Sequence, residues 1–174
     1  MHSSAEELVD VIDETGHTVS VVSRREMRTR RLPHRCIYVF IFNQCGELFV
    51  HLRTPSKDVY PSHWDVAVGG VLAAGESFAA GAQREVREEV GIDIPLMELF
   101  PFRYADERTI VQAIVYRAVH DGPFQLQAEE IVCGEFVAVA AVKERTLREP
   151  FCPDGLAALA EYQRREHCAT EPRT

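Results

Sequence analysis

Three glutamates near the middle of the chain have the spacing of metal-binding carboxylates. Glu88 and Glu89 follow Glu85 by three and four residues, which makes the three side chains neighbours if this segment is a helix. Like charges at that spacing repel each other, and a hard divalent cation with oxygen ligands relieves the repulsion. The spacing therefore predicts a Mg²⁺ site, with Mn²⁺ as the alternative, acting on a substrate that carries phosphate.

A helix from Ser77 to Val90 would carry these glutamates. Its apolar residues recur at helical spacing on one side, and they are Phe78, Ala79, Ala82, Val86 and Val90. Gly91 follows the last turn, where a left-handed residue commonly closes a helix. Glu85 and Glu89 fall at the edge of the apolar stripe, so they would lie where the helix meets the rest of the fold. The alternative for a glutamate-rich helix is an ordinary solvated surface.

The residues before the helix favour the metal site over a solvated surface. Gly69 and Gly70 would let the backbone approach a metal or a phosphate closely. From Gly70 the chain has five residues, Glu76, seven residues, and then R-E-V-x-E-E-x-G-I from Arg84 to Ile92. This pattern fills every position of the box that defines the Nudix superfamily. The chain thus resembles enzymes that cleave diphosphates linked to some other group X.

The resemblance implies separate roles for the residues of the box. Glu85 and Glu89 would bind the metal. Gly70, Glu76 and Arg84 would orient these ligands, and the Glu76–Arg84 pair would not itself be the reacting group. The implied function is a Mg²⁺-dependent hydrolase that acts on a small-molecule diphosphate, with X a nucleoside or another organic group.

Several carboxylates are candidates for the general base that takes a proton from the attacking water. Glu88 would either bind metal or act as this base. Outside the box we expect Glu130, because it precedes the final strand, where relatives often carry a catalytic carboxylate. Asp106 and Glu107, in a predicted hairpin loop, are the next candidates. Each loop residue has the alternative of being an ordinary solvated acid.

The resemblance extends beyond the box to Nudix proteins related to isopentenyl-diphosphate isomerase, and above all to bacterial hydrolases of the YfcD type. It rests on Val11-Ile12-Asp13-Glu14, Met27-Arg28, Pro33-His34-Arg35, Arg53-x-x-x-Lys57, Pro61 and Trp64-Asp65. In the isomerase-like proteins the residues matching Arg53 and Lys57 hold a diphosphate, so the resemblance implies that these two bind substrate. An arginine offers a fork for two phosphate oxygens and a lysine a mobile point charge. The alternative is a surface loop with ordinary basic residues.

An isomerase and a catalytically silent binding module are the alternative functions. The resemblance implies a reactive cysteine just before the box of an isomerase, and Asp65-Val66-Ala67-Val68-Gly69-Gly70 has none. His34 matches a metal-binding histidine of those enzymes, but the partner position is Met27, and Thr109–Ala113 has no carboxylate. We therefore expect a structural His34 and no allylic proton shift, which needs both an acid and a base. The intact box argues against a silent module.

Composition narrows the class of protein further. The net charge of −8 disfavours a general nucleic-acid binder, and no apolar run is long enough to span a membrane. The five cysteines are scattered without a C-x-x-C pair, which favours free thiols in a cytoplasmic protein. One basic cluster is an exception to the acidic net charge, and it comprises Arg24, Arg25, Arg28, Arg30, Arg31 and Arg35. It is interpreted either as a solvated helix or as a rim that faces the phosphates of a substrate. A homodimer is left open.

The order of elements predicts a mixed α/β fold in a single domain over residues 1–174, with a frayed tail at 170–174. The resemblance implies an α/β/α sandwich in which the box helix packs on a mixed sheet. We expect a short strand at Asp65–Val68 that runs into Gly69 and Gly70. Late in the chain we expect a strand at Val132–Val139 and helices at Val142–Arg148 and Asp154–His167. Asp154 would be the N-cap of the last helix.

Overall fold

The structure, a computed structural model, describes residues 4–170. Within these residues there are eight strands, namely β1 (Leu8–Ile12), β2 (Thr18–Ser23), β3 (His34–Phe42), β4 (Leu48–Arg53), β5 (Trp64–Asp65), β6 (Met97–Ala105), β7 (Ile110–Val119) and β8 (Ile131–Val137). The helices in the same range are a short 3₁₀ turn (Ser4–Glu6), α1 (Arg24–Arg30), α2 (Phe78–Val90), α3 (Val139–Arg145) and α4 (Pro153–Thr170). Residues 171–174 of the predicted frayed tail lie outside the described part of the chain.

The strands form one mixed sheet with β3 near its centre. β3 runs parallel to β7, from the pair His34–Val111 to the pair Phe42–Val119. It also pairs in the antiparallel sense with β1 and β4. β2 extends the sheet beyond β1, β6 extends it beyond β7, and both β5 and β8 pair with β4. The predicted mixed sheet is confirmed.

Side chains from β3 are buried on both faces of the sheet, because successive residues of a strand point to opposite sides. On one face, Ile37 and Val39 pack in a cluster with Ala82 and Val86 of α2. On the other face, Phe40 packs with residues of α4, among them Ala158 and Leu159. Burying an aliphatic or aromatic side chain of this size contributes roughly 1.5–3 kcal/mol. Helices thus cover both faces, and the predicted α/β/α sandwich is confirmed.

Local signals fix the ends of the box helix α2. Ser77 is its N-cap, with its hydroxyl accepting from the Ala80 N–H at 3.3 Å. Gly91 closes the helix at a φ of 71°, a left-handed conformation that glycine adopts without the clash of a Cβ. Because both ends are fixed, the faces of α2 follow directly from the sequence spacing.

The predicted cap of the last helix is wrong. α4 begins at Pro153, whose fixed φ and missing N–H suit the first turn of a helix. Asp154 is therefore inside that turn, and its carboxylate accepts from the Tyr38 hydroxyl at 2.8 Å. The side chain is committed to a contact across the fold rather than to capping the helix backbone.

Two other predicted elements shift along the chain. The third helix covers Val139–Arg145 rather than Val142–Arg148, and the strand expected at Asp65–Val68 is only Trp64–Asp65. Beyond Asp65 the chain touches β3 through isolated bridges, including Val68 with Val39. Among the described residues no helix is long and apolar enough to cross a membrane.

Candidate active site

A cavity of about 300 Å³ lies between the box helix, the sheet and the loop at residues 54–63. Its walls come from distant parts of the chain, including α1, β3, α2, the turn before β8 and the first turn of α4. We call two of its parts the box end, formed by Arg84, Glu85, Glu88 and Glu89, and the inner wall, formed by Tyr38, Asp65 and Asp154.

The box end holds two buried carboxylates beside a more exposed one. Glu85 and Glu89 are 8% and 4% exposed, whereas the side chain of Glu88 is 53% exposed at the rim. Burial raises the pKa of Glu85, and it raises the pKa of Glu89 to about 8. These shifts arise because burial removes water that would stabilise the ionised carboxylates.

Arg84 fixes the orientation of these carboxylates. Its guanidinium donates two hydrogen bonds of 2.9 Å to the carboxylate of Glu76. A further nitrogen, Nη1, donates to Glu85 Oε1 at 2.8 Å and to Glu88 Oε2 at 3.1 Å. The hydrogen bonds from Arg84 also lower the pKa of Glu76. A bidentate pair has a strict geometry, so Arg84 is held by Glu76 and in turn positions Glu85.

Gly70 leaves room for Glu85. A Cβ added at Gly70 would lie 2.6 Å from Glu85 Oε1, which is closer than two such atoms can approach without a shift. The backbone before α2 therefore touches the carboxylate itself, and glycine is required by that close approach. Any larger residue at this position would displace the Glu85 side chain.

Arg53 lies between the box end and the inner wall. Its Nη2 donates to the Val59 carbonyl at 3.0 Å, and its Nη1 is 3.5 Å from Asp65 Oδ2. Burial alone would lower the pKa of Arg53, but nearby acids, Asp65 foremost, raise it. Its Nε is buried and has no hydrogen-bond partner among the described residues. The guanidinium is thus charged and retains an unused donor.

Lys57 lies between Glu130, a candidate base, and Glu89, a predicted metal ligand. Its Nζ contacts the carboxylate of Glu130 and lies 4.0 Å from Glu89 Oε1. Burial lowers the pKa of Lys57. The Glu130 side chain is 29% exposed and the Lys57 side chain 11%, so the pair is largely shielded from water. The loop of Lys57 and the turn of Glu130 are joined further by a 3.0 Å hydrogen bond from Thr54 N to Glu130 O.

The box end fits a divalent cation with few protein ligands. No group of three or more His, Cys, Asp or Glu side chains among residues 4–170 forms a ready metal cage. Glu85 and Glu89 are nevertheless buried acids whose pKa values are raised, and a nearby cation would stabilise their ionised forms. Mg²⁺ commonly uses one or two carboxylates and completes its shell with water and phosphate.

Comparison with known proteins assigns the chain to a family. The model of the NUDIX domain matches residues 32–155, a range that includes the box end, Arg53, Lys57 and Glu130. The chain belongs to the Nudix family. An uncharacterized Nudix hydrolase of Pseudomonas aeruginosa is 40% identical over 161 residues, covering 92% of this chain and 95% of the relative. The uncharacterized Nudix hydrolase YfcD of Escherichia coli is 35% identical over 161 residues, covering 91% and 88%.

Solved structures share the fold. The Deinococcus radiodurans protein DR0079 matches with a TM-score of 0.80 and 23% identity, covering 89% of this chain and 98% of that one. A MutT protein of Methanosarcina mazei matches with a TM-score of 0.64 and 24% identity, covering 78% and 95%. The NUDIX domain of Shewanella oneidensis NrtR, complexed with ADP ribose, matches with a TM-score of 0.61 and 16% identity, covering 83% and 99%. At these identities the similarity shows the fold alone.

In this Nudix protein the predicted site residues converge on one cavity. Glu76 is the exception and lies behind Arg84. The others that line the cavity are Arg53, Lys57, Gly70, Arg84, Glu85, Glu88, Glu89 and Glu130. Asp106 and Glu107, the reserve candidates for the base, do not line it. Asp106 instead accepts from the Tyr60 hydroxyl and from backbone N–H groups of its own turn.

The basic cluster divides between the cavity and the surface. Arg24 and Arg28 line the cavity, and the Nε of each donates to Asp58 Oδ2, at 3.2 and 3.1 Å. Burial would raise the pKa of Asp58, but these two arginines lower it. The remaining members form ion pairs or backbone contacts elsewhere, and they are Arg25, Arg30, Arg31 and Arg35. Two members of the cluster therefore lie at the cavity, and the other four are paired elsewhere.

His34 also lines the cavity, at the start of β3, and is 1% exposed. Its Nδ1 lies 2.9 Å from the Leu32 carbonyl, and its Nε2 is 3.4 Å from Arg28 Nη1. Burial, followed by the charge of Arg28, lowers the pKa of His34 to about 4. A neutral histidine bonded to its own turn fits the predicted structural role.

Sequence reasoning missed part of the cavity wall. The sequence predicts no site role for Tyr38 or Asp65, and it predicts a helix cap at Asp154. The segment just before the box contains no thiol, but Cys36 brings a thiol to the cavity from β3. Its Sγ donates to the Gly70 carbonyl at 3.0 Å, and burial raises its pKa to about 12. These residues meet through strand pairing and through the packing of α4 on the sheet, so no spacing rule could have found them.

Proposed function

We propose that this protein is a divalent-cation-dependent hydrolase that cleaves small-molecule diphosphates linked to another group X. The observation that carries the proposal is the buried pair Glu85 and Glu89, which opens into the same cavity as Arg53 and Lys57. The two buried acids are costly to ionise, and a bound metal ion would offset that cost. The two basic side chains line the same cavity and would offset the charge of a polyanionic substrate bound together with the metal.

Glu85 and Glu89 would hold the cation, with Mg²⁺ as the first expectation and Mn²⁺ as the alternative. When bound, such an ion neutralises charge that develops on phosphate oxygens and lowers the pKa of water. The Glu76–Arg84 pair would keep the ligands in place. It is satisfied by its own hydrogen bonds, so it has no free group for the chemistry.

Arg53 and Lys57 would bind the diphosphate and offset its charge. Arg53 has an unused Nε donor, and Lys57 would exchange its contact with Glu130 for a phosphate oxygen. Release of Lys57 would leave the Glu130 carboxylate free to accept the proton of the attacking water. Glu88 is the second candidate for the base, since it lines the same cavity at the rim.

The test is cleavage of the diphosphate bond by purified protein in a panel of nucleotide, sugar and isoprenoid diphosphates, with Mg²⁺ and with chelator, in which the monophosphate products are separated and measured by chromatography. We expect turnover of at least one diphosphate with Mg²⁺ and none with chelator. Glu144→Gln, an exposed substitution on α3, is the matched control and should behave like the parent. No turnover of any diphosphate with either Mg²⁺ or Mn²⁺ would contradict the proposed function.

The same panel separates hydrolysis from isomerisation. Isopentenyl diphosphate should not be converted to dimethylallyl diphosphate, because the segment Asp65–Gly70 just before the box has no thiol and the position matching a second metal-binding histidine is Met27. A cytoplasmic location is part of the proposal, supported by five cysteines that are all free. The sequence leaves open whether the protein is a homodimer. Light scattering of the same preparation measures its molar mass and so tests this.

A further inference from the structure

The inner wall of the cavity carries an acidic group that the diphosphate chemistry does not use. Asp154 lies in the first turn of α4 and lines the same cavity as the box end. Its Oδ2 accepts from the Tyr38 hydroxyl at 2.8 Å. Its Oδ1 is buried and accepts no hydrogen bond from any residue in the described range. A buried acceptor of this kind is costly unless a donor reaches it.

The position of Asp154 is fixed by its surroundings. Tyr38 is 6% exposed and packs edge-on against Phe102, with ring centroids 5.9 Å apart. This packing therefore fixes the position of the tyrosine hydroxyl, and the hydroxyl in turn fixes the position of Asp154 Oδ2. Pro153 starts α4 immediately before Asp154. With one oxygen held and the helix start rigid, the second oxygen is preorganised to receive a donor.

The neighbouring acid of the inner wall differs from Asp154 because its hydrogen bonds are complete. Asp65 Oδ1 accepts from the N–H groups of Val66 and Ala67, at 2.8 and 3.3 Å. Its Oδ2 lies 3.5 Å from Arg53 Nη1. Arg53 thus contacts the inner wall and lines the same cavity as the box end. A diphosphate held by Arg53 would have its attached group X beside Asp154.

We propose that Asp154 is a specificity-determining residue that accepts a hydrogen bond from X. X then carries a hydroxyl or amino donor, as in sugar and nucleoside diphosphates, and is not an isoprenoid chain. This inference rests on the proposed function for the location of the diphosphate. An isoprenoid chain placed at the inner wall would leave the Asp154 oxygen buried and unpaired. Sites built around such polar groups reject analogues that lack the matching donor far more strongly than apolar pockets reject a change of size.

The experiment compares two kinds of substrate in the parent, Asp154→Asn and Asp154→Ala. UDP-glucose and ADP-ribose represent donor-bearing X, and isopentenyl and geranyl diphosphate represent donor-free X. We expect the parent to favour the first kind in kcat/KM by at least 100-fold. Asp154→Ala should lower kcat/KM for the donor-bearing substrates about 10- to 100-fold, as for loss of a hydrogen bond to a charged group. Asp154→Asn should lower it less, because its amide oxygen can still accept a hydrogen bond but carries no charge. The values for the isoprenoid diphosphates should stay unchanged or rise.

Tyr38→Phe and Glu144→Gln complete the set. Tyr38 is a positioning residue, so its substitution should lower the preference for donor-bearing substrates only about threefold to tenfold. Glu144→Gln should leave it unchanged. If Asp154→Ala fails to fold, Asp154→Asn and Tyr38→Phe still decide the question. A parent that prefers isoprenoid diphosphates would overturn the proposal, and so would an equal loss on both kinds of substrate in the Asp154 variants.

Failure of the hydrolase proposal can be told apart from failure of this one. If the parent cleaves no diphosphate, binding of ADP-ribose and geranyl diphosphate is measured by calorimetry without turnover. Tighter binding of ADP-ribose that weakens at least tenfold in Asp154→Ala would support the role of Asp154 even then. Equal binding of the two ligands by the parent, or equal binding of ADP-ribose by parent and variant, would refute it.

Discussion

The box end and the inner wall are parts of one cavity, yet they are assembled in different ways. All four residues of the box end come from α2, where helical spacing alone makes them neighbours. The inner wall brings together β3, β5 and α4, which meet only after the sheet has formed. Because of this difference, the box end depends on a local element and the inner wall on the tertiary fold.

The two regions also differ in how their acids are satisfied. Arg84 donates to both Glu85 and Glu88 from the same helix, so the box end is stabilised before any ligand is present. At the inner wall, Asp154 keeps one oxygen without a donor among the described residues. We infer that the box end serves a reaction common to many substrates, whereas the inner wall selects among them.

The largest expected effect is at the box end. Glu89→Gln should lower kcat/KM by about 10³-fold or more, the scale for losing a group that stabilises charge in the transition state. The fold should persist, because the substitution keeps the shape and replaces an acid that is costly to ionise with a neutral amide. The measurement is hydrolysis of the best diphosphate over a range of Mg²⁺ concentrations, together with thermal unfolding in chelator.

Activity within a few-fold of the parent, with normal saturation by Mg²⁺, would show that Glu89 is not a metal ligand. Loss of activity with loss of the folded state would point to a structural role instead. Glu144→Gln controls for the exchange of an acid for an amide at an exposed site on α3.

The box end could be predicted in detail because its geometry is local. The spacing of Glu85 and Glu89 places them on one face of any helix, and Ser77 and Gly91 mark its ends. Asp154 shows the opposite case. An aspartate after a proline at a helix start is typical of a cap, and only the approach of Tyr38 from β3 gives it another partner. That contact spans 116 residues of chain, beyond the reach of any spacing rule.

A second prediction asks whether the turn before β8 completes the chemistry of the box end. Glu130→Gln should lower kcat about 10²-fold with KM nearly unchanged, as for loss of a general base. Glu88→Gln should lower kcat less than tenfold, because Glu88 is exposed and paired with Arg84. The reverse ranking of the two variants would assign the base to Glu88.

A third prediction tests the residue that joins the two regions. Arg53→Ala should raise KM about 10- to 100-fold and change kcat less, since contacts of equal strength in ground and transition states chiefly lower KM. Arg53→Lys should restore only part of the affinity, because the forked geometry is lost. Steady-state kinetics on the best substrate provide the measurement.

A fall in kcat with unchanged KM would mean that Arg53 acts on the transition state. No change in either constant would leave Arg53 as a support of the loop, through its hydrogen bond to the Val59 carbonyl. Arg87→Gln, an exposed position on α2 paired with Asp93, controls for the loss of one positive charge.

The smallest expected effect on activity concerns His34, a cavity residue that belongs to neither region. Burial lowers its pKa to about 4, from 6.5, so the folded protein keeps it neutral where the unfolded chain would protonate it. The free energy of unfolding should therefore fall as pH drops from about 6.5 towards 4. Above pH 6.5 His34 is neutral in both the folded and the unfolded chain, so it causes no such loss. This loss of unfolding free energy is a few kcal/mol at most, at about 1.4 kcal/mol per pKa unit.

His34→Gln should flatten that part of the pH dependence while leaving kcat/KM at pH 7.5 within a few-fold of the parent. Urea unfolding of both proteins at pH 7.5 and pH 5 measures the difference directly. His51 is also buried, with its pKa lowered to about 3, so parent and variant share its contribution and the difference between them isolates His34. Equal pH dependence in the two proteins would show that His34 does not sense this range. A large loss of activity at pH 7.5 would instead give His34 a part in the site, which its hydrogen bond to the Leu32 carbonyl argues against.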